Sequence, residues 1–133
     1  MGDTEQKKIV FYEERLSSIL IKLRILPNIK GYCLLKECVL QILMDNTKKY
    51  NMNKSLYPAL AKVHNVTVGQ IERRLKILCN TCKRLCDKND LTSVFGGQNV
   101  EDISVKQIIC LLAEKLNLEY RAMLYSQNSF NFI

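Results

Sequence analysis

The sequence predicts an all-α protein: a six-helix single domain containing a helix-turn-helix. Three observations point there. Chain breakers are scarce, with 5 Gly and 2 Pro in 133 residues, so long helices joined by short turns follow. Apolar residues recur at spacings of three and four, while strand-like alternation is weak throughout. Two of the apolar stripes begin at a capping-box spacing, Thr67 with Gln70 and Ser104 with Gln107. A composition that is 47% hydrophobic and 25% charged suits one globular core.

The first helix is expected from about Thr4 to Leu26. Ile9, Tyr12, Leu16, Ile19, Leu20 and Leu23 share one face, Asp3 and Gln6 are spaced as a capping box, and Pro27-Asn28 ends the run. A second helix follows from about Gly31 to Asp45, burying Leu34, Leu35, Cys38, Ile42 and Leu43. Asn46 to Asn53 is polar and reads as a loop. The third helix covers about Leu56 to His64, with Ser55 as its cap and Pro58 in the first turn, where a missing N–H costs little. The fourth runs from Val68 to about Cys86. A polar break at Asp87 to Asp90 precedes a short helical turn, Leu91 to Phe95, stopped by Gly96-Gly97. The last helix spans about Val105 to Leu118 on a stripe of Val105, Ile108, Ile109, Leu112 and Leu116. The domain is thus assigned to residues 1–121, followed by a polar C-terminal tail over 122–133.

Lys and Arg number 20 against 13 Asp and Glu, a net charge of +7. That excess favours polyanions, nucleic acid first and an acidic membrane surface second. Met1 to Lys8 is polar with no secretory apolar run behind it, and no stretch approaches the ~20 apolar residues of a membrane span. A cytoplasmic protein with its six cysteines reduced is the expectation.

The third and fourth helices, joined by His64 to Thr67, have the chemistry of a helix-turn-helix. Ala61 is small where the second helix must cross the first. Asn65 tolerates the positive φ such a turn needs. Ile71 is an aliphatic facing back into the crossing, with Leu60, Val66 and Leu75 completing the underside. On a helical wheel Ile71, Leu75, Leu78, Cys79, Cys82, Leu85 and Cys86 fall on the buried side. The opposite face carries Gly69, Gln70, Arg73, Lys76, Ile77, Asn80 and Arg84, with Glu72 and Arg74 on its flanks. In a major groove Arg forks onto guanine, Gln onto adenine, and Glu accepts from cytosine. Gln70, Glu72, Arg73 and Lys76 are therefore the candidate base readers. Lys54 and Thr67 are candidates for phosphate, and Ile77 for a thymine methyl or a protein contact.

Several segments carry a family resemblance: Leu26-Pro27-Asn28-Ile29-Lys30-Gly31-Tyr32, Leu56-Tyr57-Pro58-Ala59-Leu60-Ala61-Lys62, Ile71-Glu72-Arg73, Leu91-Thr92-Ser93-Val94-Phe95-Gly96, and Ala113-Glu114-Lys115-Leu116-Asn117-Leu118-Glu119. In this order the chain resembles the C-terminal effector domain of the stage-zero sporulation master regulator of endospore-forming Firmicutes. The resemblance implies a six-helix fold whose third and fourth helices read double-stranded DNA at short promoter boxes, often as a tandem pair of molecules. It implies a transcription regulator of sporulation entry, with DNA contacts at Glu72, Arg73 and Lys76. Gly69-Gln70 stand where the family usually has Ser-Arg, Lys76 where it has Arg, and Ile77 where it has His. The family's full-length members also carry a phospho-accepting receiver domain, for which 133 residues leave no room; an excised effector domain and a stand-alone relative both fit.

Cys79, Cys82 and Cys86 have a spacing that suggests a metal site, but they share the buried face of one helix, and core packing is expected instead. His64, at a helix C-terminus, suits the dipole there. No catalytic constellation, metal or cofactor is expected. The rival to DNA reading is a protein-interaction module that keeps the fold and pairs with another regulator through its first or last helix.

Overall fold

A computed structural model describes residues 2–96 and 100–131. Among these are six α-helices and no strand: α1 (Asp3–Lys22), α2 (Tyr32–Met44), α3 (Tyr57–His64), α4 (Val68–Leu85), α5 (Lys88–Phe95) and α6 (Val105–Asn131). α2 and α6 form the centre, with α1 and α4 packed on both, α3 against α4, and α5 against α6. Leu16, Leu20, Leu35, Ile42, Ile71, Leu75, Leu78, Ile109 and Leu112 are fully buried in one core. Each contributes about 1.5–3 kcal/mol relative to an exposed side chain. None of the described helices is long and apolar enough to cross a membrane.

Several boundaries differ from those the sequence predicts. α1 ends at Lys22, ahead of Pro27, because Arg24 turns left-handed at φ 64°. The Arg24 N–H donates to the Ile21 carbonyl at 3.0 Å and the Ile25 N–H to the Leu20 carbonyl at 2.8 Å, the paired bonds of a Schellman ending. Ile25 and Leu20 are both buried, which supplies the accompanying apolar contact. At the other end Gly2 precedes the helix and no side chain caps it, so the Asp3–Gln6 box does not form.

The segment expected to be a loop after α2 is wound instead into a 3₁₀ turn, Asn46–Tyr50, and a π turn, Met52–Leu56. Met52 and Leu56 are buried there and pin the segment to the core. The chain is thus already helical when it reaches Tyr57, and Ser55 does not serve as a cap. The break expected at Asp87 to Asp90 is the first turn of α5, with the Asp87 carboxylate accepting from the Asn89 N–H at 2.6 Å. Leu85, assigned to the buried side of α4, is 58% exposed. α4 stops at that residue, and the chain turns extended at Cys86, whose buried thiol donates to the Lys22 carbonyl instead.

The largest difference is α6. Expected to end near Leu118, it continues to Asn131, a rod of about 40 Å. The first residues beyond Leu118 are held by the middle of α1. Arg15 makes a bidentate pair with Glu119 at 3.0 and 3.1 Å, and the Tyr120 ring sits 5.4 Å from Phe11 and 5.5 Å from Tyr12. Lys8 lies over the Tyr120 ring at 5.5 Å.

Candidate nucleic-acid interface

The turn between α3 and α4 is built as the residue types require. Asn65 is left-handed, at φ 54° and ψ 48°. The Val66 N–H then reaches the Ala61 carbonyl at 3.0 Å, closing a second Schellman-like ending. Ala61 and Leu60 are buried beneath Ile71 and Leu75, so the two helices cross closely. His64, at the end of α3, lies 2.6 Å from the Glu37 carboxylate and ties the turn to α2.

Thr67 caps α4 with both bonds of a capping box. The Gln70 N–H donates to the Thr67 hydroxyl at 3.1 Å, and the Thr67 N–H donates to the Gln70 side-chain oxygen at 2.9 Å. That second bond bears on reading. A bidentate fork onto adenine needs the Gln70 oxygen as well as its NH₂, and the oxygen is engaged in the cap. Arg73 carries no such engagement.

Lys54, Thr67, Gly69, Gln70, Glu72, Arg73, Lys76, Ile77 and Asn80 are all exposed. All except Lys54 and the cap Thr67 lie on α4 itself; Lys54 is on the π turn that leads into α3. Ile77, 51% exposed, is an apolar spot amid polar neighbours. Asn80 lies seven residues beyond Arg73, about 10 Å along the helix and away from its N-terminal half. Below them Ile71, Leu75, Leu78, Cys79 and Cys82 are buried. Burial pushes the Cys79 thiol up to about 11 and the Cys82 thiol up to about 12. Among the described residues no cluster of three His, Cys, Asp or Glu is placed to hold a metal ion.

Two clefts flank α4, and sequence reasoning found neither. One, of about 400 Å³, lies between α4 and the α1–α2 connection and is lined by Ile29, Lys30, Gln70, Arg73, Arg74 and Ile77. It exists because Gly31, at φ 97°, lets that connection touch α4. A Cβ at Gly31 would stand 3.0 Å from the Arg74 carbonyl oxygen. The other, of about 380 Å³, lies on the opposite flank and brings Glu72 and Lys76 beside Tyr57, Ser104 and Lys106. Ser104 and Gln107 form the expected capping box there, with bonds of 2.8 and 3.2 Å. The one trace of the first cleft in the sequence is a Gly immediately before an apolar helical stripe. Its partner, Arg74, is 43 residues away and cannot be read from the order of residues.

A helix-turn-helix that buries one face of its second helix and leaves a basic face open defines a nucleic-acid-binding domain of the helix-turn-helix class. The family described as sporulation initiation factor Spo0A C terminal matches residues 16–116, about three quarters of the chain. The chain belongs to that family, one of DNA-binding regulator domains of sporulation initiation and not of enzymes. The match leaves out the first turns of α1 and everything in α6 beyond Leu116.

Proposed function

We propose that this chain is a sequence-specific transcription regulator that sets α4 into the major groove of promoter DNA. The observation that carries this reading is the open face of α4. Among the described residues, neither Arg73 nor Lys76 has a carboxylate partner within ion-pairing distance, although both are exposed on one helix. Cations left unpaired on a rigid helix are free to meet phosphates or base edges without breaking an internal bond.

Arg73 is the principal base reader, because its fork can take both acceptors of a guanine. Glu72 discriminates by accepting from cytosine, and Lys76 supplies a single charge. Ile77 offers an apolar surface to a thymine methyl. Gly69 leaves the first turn of α4 open, since a Cβ there would meet only the Thr67 hydroxyl at 3.8 Å. Thr67, the cap of α4, and Lys54, on the π turn ahead of α3, are the backbone contacts, and Asn80 extends the face away from the bases. Two copies on tandem boxes would double the contact length.

The test is a fluorescence-anisotropy titration against a tandem family-type box and a scrambled duplex over a salt series. The expected result is preference for the box with a steep salt slope. Arg73→Ala should cost ~1–3 kcal/mol at the box and relax its specificity. Failure of the unaltered chain to bind either duplex would refute the reading and favour the protein-interaction module, with exposed Ile77 as a contact.

A further inference from the structure

We infer that the two clefts flanking α4 are phosphate grips, one for each strand bordering the major groove, with Lys30 and Lys106 as their outer cations. This rests on the DNA reading proposed above. A helix inserted into a major groove about 12 Å wide has a phosphate ridge on each side of it. A protein that lets the helix sink in must offer each ridge a recess.

The structure has a recess on each flank, and they are made by elements far apart in the chain. The α1–α2 connection forms the wall of one, and the first turn of α6 forms the wall of the other. Lys30 is exposed on the first wall, and Arg73 and half-buried Arg74 face it across the cleft. Among the described residues, none that lines that cleft is acidic. Lys106 is exposed on the second wall opposite Lys76, and Asn53 and Ser104 add hydroxyl and amide groups. Glu72 also lines this second cleft; it stands on α4 itself, whereas Lys106 belongs to the outer wall.

None of Lys30, Arg74 and Lys106 has a carboxylate partner among the described residues. Other cations of the chain are occupied: Arg15 with Glu119, Lys22 with Asp90, and Lys83 with the carbonyls of Glu101 and Ile103. Lys30 and Arg74 on one flank of the reading helix and Lys106 on the other can therefore meet phosphates without giving up an ion pair. Ile29, on the outer wall of the first cleft, presents an apolar surface suited to the sugar face of a backbone. Lys30 and Lys106 position the duplex; they do not read it.

The experiment uses the full chain with Lys30→Ala, Lys106→Ala, the double variant, and Lys7→Ala as an equal loss of charge near the start of α1. Anisotropy titrations run from roughly 50 to 200 mM salt on the box and on the scrambled duplex. Each cleft variant is expected to bind both duplexes roughly 5–10-fold more weakly at low salt, with the slope of log K against log salt reduced by about one. The double variant should lose about two, and the ratio of box to scrambled affinity should not change. Lys7→Ala should behave as the unaltered chain. Circular dichroism confirms that each variant is folded.

Slopes unaltered by Lys30→Ala and Lys106→Ala, or reduced equally by Lys7→Ala, would overturn the grips. So would a change in the box-to-scrambled ratio, because phosphate contacts carry no sequence. Salt-steep binding without box preference would refute base reading by α4 alone, and the slopes would still decide the grips. Absence of binding by the unaltered chain would overturn both.

Discussion

Gly31→Ala tests whether the contact between the α1–α2 connection and α4 is as close as the structure shows. Gly31 sits at φ 97°, where an L-residue is strained by roughly 1–2 kcal/mol. The added Cβ would also stand 3.0 Å from the Arg74 oxygen, 3.3 Å from the Arg74 carbonyl carbon and 3.6 Å from its Cβ. Two of these are backbone atoms in the middle of a helix, so the connection must retreat, at a further cost of about 1–3 kcal/mol. Restricting the unfolded chain returns roughly 0.4–1 kcal/mol. The net expectation is a loss of about 1–4.5 kcal/mol, centred near 3, and the central value corresponds to roughly 9–12 °C in Tm for a domain of this size. Urea and thermal unfolding followed by circular dichroism read it. Gly69→Ala is the matched control: its φ is ordinary and its nearest neighbour is 3.8 Å away, so its stability should be unchanged or slightly higher. A Gly31→Ala protein within about 0.5 kcal/mol of the parent would refute the close approach, and with it the wall of the first cleft.

Thr67→Ala should cost about 1 kcal/mol in urea denaturation by removing the cap of α4, and Thr67→Ser should restore most of it. Glu119→Gln should cost less than about 1 kcal/mol, because Arg15 and Glu119 are both partly exposed. The hydrogen bond from Arg15 holds the Glu119 carboxyl below its usual range. The pair's stabilisation is therefore present above the ordinary carboxylate range and lost as pH falls through the depressed value. The difference between parent and variant should be full above about pH 5 and fade below about pH 4, as melts across that range would show. With a thiol reagent at about pH 8, exposed Cys33 should react in the native state, while Cys38, Cys79 and Cys82 wait for unfolding. Burial pushes the Cys38 and Cys82 thiols up to about 12, and rapid labelling of more thiols than Cys33 and half-buried Cys110 would contradict their place in the core.

Local chemistry explains which features were legible in the sequence. Thr67 with Gln70 and Ser104 with Gln107 cap their helices because each bond spans three residues and needs no distant partner. Asn65 takes the left-handed position for the same reason. The buried side of α4 follows from period alone as far as Cys82, and fails at Leu85, where the helix ends and no neighbour covers it. Polar composition misled at Asn46 to Asn53, where buried Met52 anchors helical turns. It misled again after Leu118, where Arg15, Phe11 and Tyr12 of α1 hold α6 in place.

By itself, then, the sequence determined the helical class, the caps of α4 and α6, the crossing of α3 and α4, and the exposed face of α4. Each depends on spacings of three or four residues, over which the chain's own geometry fixes who meets whom. Only the tertiary structure decided what stands beside that face. Lys30 shares one cleft with Arg74 across 43 intervening positions, and Lys106 shares the other with Lys76 across 29, in clefts that exist only once α2 and α6 have packed at the centre. Long-range neighbours are set by how the helices pack into one core, and no local pattern encodes that.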